Sequence, residues 1–130
     1  MAEREHINQL FDGTLDEYKR EHPHKEIDLS RATLSGHEFP GVDFSGANLQ
    51  GARLVGTDLS KANLSGANLS GADLSKADLS GADLRGADFS EANLSGANLR
   101  VVATSDRTNF GGADLSGAIN IPPNMHRRYL

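Results

Sequence analysis

Between Gly66 and Phe89 the chain reads GANLSGADLSKADLSGADLRGADF, so that a small residue, an Asp or Asn and a large apolar residue return every five positions. Taking the large apolar residue as the centre of each unit, fifteen centres run from Leu29 to Leu99 without a slip, all Leu except Phe39, Phe44 and Phe89. Two residues before each centre lies a second column that is Ala in eleven of fifteen units, the exceptions being Ile27, His37, Val42 and Thr57. A period of five smears apolar residues around a helix of 3.6 residues per turn, and each glycine inside such a helix would cost about 1 kcal/mol. A helical fold for this stretch is therefore excluded.

Two inward positions separated by one outward position have the form of a three-residue strand. The two residues that follow, most often Ser-Gly, are a turn pair. Each unit is then a short edge followed by a corner. Corners of one hand wind the chain into a coil, and successive coils stack at the strand spacing of about 4.8 Å. Leucine fills the inside, and alanine is small because a narrow tube has no room for two large layers. The composition agrees: 37% of residues are apolar but only 5% aromatic, with no Trp. The core must be narrow and built from many copies of one small contact.

The pattern A-[DN]-[LF]-S-G, matched at every position by Ala67-Asn68-Leu69-Ser70-Gly71, resembles the pentapeptide-repeat family. The resemblance covers residues 27–99 and resumes at 108–117. It implies an all-β solenoid, a right-handed quadrilateral parallel β-helix of about 4–5 coils with four units per coil; the residues before it add a short N-terminal α-helical cap.

Three segments are expected. Residues 1–24 form the cap: Ile7, Leu10 and Phe11 lie at helical spacing, Asp12-Gly13 breaks the run, and Thr14-Leu15-Asp16-Glu17 has the form of a capping box for a second short helix. Such a cap covers the unpaired edge that a stack of coils leaves at its end. Residues 25–120 form the β-helix. Leu99 and Phe110 are eleven rather than ten residues apart. Val102-Ala103-Thr104 is read as a degenerate unit and Ser105-Asp106-Arg107 as a bulged corner, or, by analogy with loops that leave the coil in some relatives, a contact loop. Residues 121–130 form a tail in which Ile121, Met125, Tyr129 and Leu130 are the apolar material and Pro122-Pro123 stops further coiling. It either folds over the open end or joins two copies end to end, leaving monomer and homodimer both open.

The chain carries a formal charge of −5. Residues 1–24 hold six acids against three bases, residues 25–120 twelve against eight, and the tail two arginines. A net acidic body argues against direct nucleic-acid binding, which needs a basic footprint. No apolar run of about 20 residues is present to span a membrane, and the charged N-terminus does not read as a signal peptide, so a cytoplasmic location is the default expectation. There is no Cys, no Ser-His-Asp grouping and no phosphate loop, and a filled tube offers no cleft. We read the chain as no enzyme, with no catalytic residue, cofactor or metal site. His22-Pro23-His24 is read as linker, since a metal needs more ligands at set spacing. His37, in an inward column, is read as a partly buried residue beside the cap.

Sorting the outward residues by coil gives four columns: Asp28, Asn48, Asn68, Asp88; Thr33, Arg53, Asp73, Asn93; Glu38, Asp58, Asp78, Asn98; and Asp43, Asn63, Asp83, Ala103. Asp and Asn there can bond nearby corner backbone, and stacked amides can bond up the ladder. The third column, with Glu38, Asp58 and Asp78, is the most acidic and is the candidate interaction face. The leading functional reading is a rigid scaffold for an unknown protein partner. The resemblance supplies an alternative, because some pentapeptide-repeat proteins that confer quinolone resistance mimic DNA and bind type II topoisomerases such as gyrase. Arg53, Lys61, Lys76, Arg85 and Arg100 interrupt the faces that such mimicry would need.

Overall fold

The computed structural model describes residues 4–125. Among these residues two short helices, α1 (Arg4–Asp12) and α2 (Leu15–Glu21), precede a solenoid held by fifteen parallel β-bridges. The bridges join outward residues in four columns, Asp28–Asn48–Asn68–Asp88–Asn109, Thr33–Arg53–Asp73–Asn93–Asp114, Glu38–Asp58–Asp78–Asn98–Ile119 and Asp43–Asn63–Asp83–Ala103. Four coils are complete and a fifth has three sides. Each side is one bridge long rather than an extended three-residue strand, because the turn every five residues draws the chain away from its neighbour.

One unit shows how the period produces the coil. The Asn68 N–H donates down to the Ala47 carbonyl at 2.9 Å, and the Leu69 N–H donates up to the Asp88 carbonyl at 2.7 Å. The Ala72 N–H closes the corner on the Leu69 carbonyl at 3.0 Å. Gly71 occupies the third position of that turn with φ +67°, the left-handed conformation that a type II turn requires there. Adjacent coils are therefore wired through main chain, whatever the outward side chains are.

The interior is filled. Every centre from Leu29 to Leu99 is buried, and the alanines of the second column from Ala47 to Ala97 are buried beside them. Thr57 is accepted among them because its hydroxyl donates to the Leu54 carbonyl. Phe89 and Phe110 stack across successive coils with centroids 5.3 Å apart. At the upper end Met125 is fully buried and belongs to the same core, while Ala113, Leu115, Ala118 and Ile121 are only partly covered. Tyr129 and Leu130 lie outside the described residues.

The cap differs in detail from its sequence pattern. Among the described side chains of α1 the wholly buried one is His6, whereas Phe11 is 51% exposed and Ile7 and Leu10 are half-buried. The stripe facing the coil thus starts one residue earlier than the apolar residues suggest. The capping box at Thr14 does not form, for Thr14 has φ −99° and ψ 5° and makes no side-chain cap bond. Leu15 and Tyr18 of α2 are buried and fix that helix to the first coil. His37, expected to be partly buried, is exposed; its ring lies edge-on to Phe11 at 4.9 Å, so it meets the cap from outside.

Candidate functional site: the third face of the coil

Glu38, Asp58 and Asp78 bridge one to the next in consecutive coils, with Asn98 and Ile119 above them. Glu38 is exposed, and Asp58 and Asp78 are half-exposed. The corner that follows each aspartate uses one carboxylate oxygen. Asp58 Oδ1 accepts the Ser60 N–H at 2.9 Å and the Ser60 hydroxyl at 2.6 Å, and Asp78 Oδ1 accepts the Ser80 N–H at 2.9 Å. These bonds fix the side chains and hold the Asp58 carboxyl below its usual range. The face ends in apolar surface: Ile119 is 53% exposed, and Val101, in the corner that follows Asn98, is 68% exposed.

The same bond to the residue two positions ahead recurs on every face. It joins Asn68 to Ser70 at 3.0 Å, Asp73 to Ser75 at 3.0 Å and Asn109 to Gly111 at 2.8 Å. The outward Asp and Asn side chains are thus parts of the corners. The amide ladder suggested by the Asn-rich columns is not what these side chains build: Asn48, Asn63, Asn68, Asn93 and Asn98 each accept from their own corner. An amide-to-amide bond between coils is found where Asn120 Nδ2 donates to Asn98 Oδ1 at 3.1 Å.

The basic residues do not all oppose the acidic character. Arg85 is paired with Asp83 through two bonds, Nε to Oδ1 at 2.9 Å and Nη2 to Oδ2 at 2.6 Å, which lower the Asp83 pKa. On the fourth face Asp83 is thus paired with Arg85 and Asp43 with Lys19, with Asn63 between them; the third is the face with carboxylates in consecutive coils.

The extra residue near the upper end lies between Ala103 and Asn109, where the bridge register changes from twenty to twenty-one residues. Ser105 Oγ accepts the Gly86 N–H at 3.0 Å, Thr108 Oγ1 accepts the Ser105 N–H at 3.0 Å, and the Thr108 hydroxyl donates to the Leu84 carbonyl at 2.9 Å. Side-chain oxygens replace the main-chain partners that the longer corner displaces. Asp106 and Arg107 stand exposed at its tip.

Clefts do occur, contrary to the expectation from a filled tube. One of about 330 Å³ lies at the seam between α2 and the first coil, lined in part by Lys19, His22, His24, Lys25 and Ser45. Lys19 is committed there, its Nζ lying 3.0 Å from the Asp43 carbonyl and 3.1 Å from the Asp43 carboxylate. His22 stacks on Tyr18 at 4.3 Å and its Nδ1–H donates to the Tyr18 carbonyl at 3.1 Å. Among the described residues no group of three or more His, Cys, Asp or Glu is placed to hold a metal ion, and no helix is long and apolar enough to cross a membrane.

A family model described as pentapeptide repeats, eight copies, matches residues 27–66 and 62–100. Among solved structures, the chain is similar to a pentapeptide repeat protein, Rfr23, from the cyanobacterium Cyanothece 51142. The two are 39% identical with a TM-score of 0.60 over 74% of this chain and 63% of that one, so this chain spans less than two thirds of that protein's length. A pentapeptide repeat protein from the Arabidopsis thaliana thylakoid lumen is 36% identical over 78% of this chain and 77% of its own, with a TM-score of 0.48. QnrB1, a plasmid-mediated fluoroquinolone resistance protein, is 24% identical over 71% of this chain and 46% of its own, with a TM-score of 0.36. No curated protein matches the chain significantly.

Proposed function

This chain belongs to the pentapeptide-repeat family, and on that premise we propose that it is a non-enzymatic scaffold, a right-handed four-sided coil whose third face binds a protein partner. The observation that carries this reading is the run Glu38–Asp58–Asp78 in adjacent coils, continued upward by exposed Ile119 and Val101. The corner bond of Asp58 and Asp78 is made equally by Asn at Asn68 and Asn98, and like charges in adjacent coils are unfavourable, so the succession of carboxylates, beyond the corner bond itself, is what a basic partner would use. The complementary partner is basic along most of the contact and apolar at one end. Rigidity supports the role, because a face wired through main chain loses little freedom on binding.

The test replaces Glu38 by Gln and Asp58 and Asp78 by Asn. Asn keeps the corner bond, as Asn68 and Asn98 do, so the fold should survive. A partner captured by the native chain should be lost by the triple variant and weakened by salt, since such attraction is screened over about 8–10 Å at physiological ionic strength. Binding unchanged in the variant would move the function to another face. Mimicry of DNA toward a topoisomerase is less favoured, because Arg53, Lys61, Lys76 and Arg100 break up the charge of the coil. We expect no inhibition of gyrase supercoiling by equimolar protein; inhibition that disappears in the triple variant would reverse this ranking.

A further inference from the structure

Among the described residues the large apolar side chains left exposed are Phe11, Val101 and Ile119, and two of the three meet at the upper end of the third face. Main-chain bonds stack the corner of Val101 on that of Gly81, since the Gly81 N–H donates to the Arg100 carbonyl at 2.8 Å. The corner does not require valine: Gly81 holds the same place one coil below with φ +70°. Val101 holds it with φ 49°, a branched side chain where glycine is at ease. Beside it Ile119 stands outward on the face itself, bridged to Asn98. Two branched apolar side chains thus face solvent together at the end of a row of carboxylates.

The coil fixes the spacing along this face. Glu38, Asp58, Asp78, Asn98 and Ile119 follow one another along the axis, about 4.8 Å apart at the usual strand spacing. Counted from Glu38, the carboxylates lie at about 0, 5 and 10 Å, Asn98 at about 14 Å and Ile119 at about 19 Å. An extended strand laid along the axis turns a side chain to the face only every ~6.6 Å and is out of register by the third. An α-helix does better: its positions i, i+4, i+7 and i+11 share one stripe at heights of about 0, 6, 10.5 and 16.5 Å. The first three meet the carboxylates, and the fourth falls between the levels of Val101 and Ile119. Asn98, at the level the stripe skips, is neutral. Its Oδ1 already accepts from the Arg100 N–H and from Asn120 Nδ2, each at 3.1 Å.

We propose that Val101 and Ile119 anchor a single α-helix of the partner, which lies along the coil axis, basic at i, i+4 and i+7 and with a large apolar residue at i+11 between them. The proposal rests on the reading of the third face as a partner-binding surface and names the form of that partner. Charge complementarity orients the helix, and the apolar pair sets its register, because a shift of one turn takes the apolar residue off its seat and a base off its carboxylate. The corners limit where the positive stripe can lie. Lys76 precedes Asp78 on one side, and Lys61 and Arg100 follow Asp58 and Asn98 on the other, so bases on the flanks of the helix are repelled. A rigid face of this kind selects a helix with one basic stripe over an evenly basic one.

The probe is a fluorescent alanine-based peptide of about 18 residues, long enough to be helical, with Lys at i, i+4 and i+7 and Leu at i+11. The full chain is titrated into it at low ionic strength, where charge attraction is least screened. A peptide of the same composition with its lysines at i, i+2 and i+5, scattered around the helix, should bind about fivefold more weakly or worse. Val101→Gly and Ile119→Thr should each weaken the patterned peptide by about fivefold or more, as loss of an interface anchor does. Val101→Gly relieves backbone strain, so its loss of binding cannot be laid to unfolding. Equal affinity for the two peptides, or a patterned peptide indifferent to both substitutions, overturns the helix. The acidic face still stands in that case if the triple variant with Glu38→Gln, Asp58→Asn and Asp78→Asn abolishes binding. Binding that survives the triple variant overturns the third-face reading together with the helix. No saturable binding of the patterned peptide by about 1 mM overturns the helix alone, since capture of a partner by the native chain tests the wider reading.

Discussion

Lys61 lies directly beneath Gly81: a β-carbon built on Gly81 would sit 3.4 Å from Lys61 Cγ. The same relation joins Arg31 to Gly51 at 3.3 Å and Lys76 to Gly96 at 3.4 Å. All six positions have positive φ. A corner can carry a long side chain in the left-handed conformation, but its stem then covers the corner above, which is left to glycine. Gly81→Ala meets the backbone constraint, with φ +70°, while the Lys61 stem at 3.4 Å is an ordinary contact. We expect it to destabilise the coil by about 1–2 kcal/mol, read by denaturant unfolding. Most of the loss should persist when Lys61 is also changed to Gly, because the backbone conformation dominates; full recovery in the double variant would assign it to the contact instead.

Val101 is the converse case. It is β-branched, 68% exposed, and held at φ 49°, where a branched side chain is strained. Val101→Gly removes the strain, and the greater freedom of glycine in the unfolded chain takes back part of the gain. A net stabilisation of roughly 0.5–1 kcal/mol is expected, seen as a higher midpoint in denaturant with an unchanged slope.

These corners also mark how far the sequence could be read. The period of five put Asp28, Asn48, Asn68 and Asp88 in one column and Glu38, Asp58 and Asp78 in another, because a repeat without slips fixes the register of every bridge. Glycine at the corners was legible for the same reason. Lys61, Lys76 and Val101 were not, since nothing in their residue type indicates positive φ. His6 escaped as well. Its bond to Asp28 joins residues 22 apart and belongs to no period; the available signal was its place one helical turn before Leu10. The capping-box pattern at Thr14 misled because a four-residue motif weighs little against the turn geometry between two packed helices. The acidic column was legible as a column, but what it binds depends on a molecule outside the chain.

Burial along the tube grades the cost of truncating its leucines. Leu69 is fully buried in the third coil, whereas Leu115 in the fifth is only partly covered. Leu69→Ala should cost about 2–5 kcal/mol and Leu115→Ala distinctly less. A repeat array communicates between neighbours, so hydrogen exchange should show the Leu69→Ala loss spread through adjacent coils and the Leu115→Ala loss confined to the upper end. Equal losses would mean that the upper end is covered in solution as fully as the middle.

The corner carboxylates give the coil an acid limit with a definite sign. Burial raises the carboxyls of Asp28 and Asp43, but the amides and hydroxyls of Ser30 and Ser45, aided at Asp43 by Lys19, more than offset it and leave both lowered. Asp58, Asp83 and Asp114 are lowered by hydrogen bonds from Ser60, Arg85 and Ser116. A carboxyl whose folded pKa lies below its unfolded value stabilises the fold fully above the unfolded value, and that stability is lost as pH falls through the folded one. The window therefore lies below about pH 4. Thermal midpoints should be flat from neutrality to about pH 4.5 for the coil and then fall. Replacing Asp58 and Asp114 with Asn, which keeps the corner bond as Asn68 does without titrating, should flatten that fall and lower the neutral midpoint, because charge-assisted bonds give way to weaker neutral ones. An acid profile as steep as that of the native chain would mean that other carboxyls set the limit.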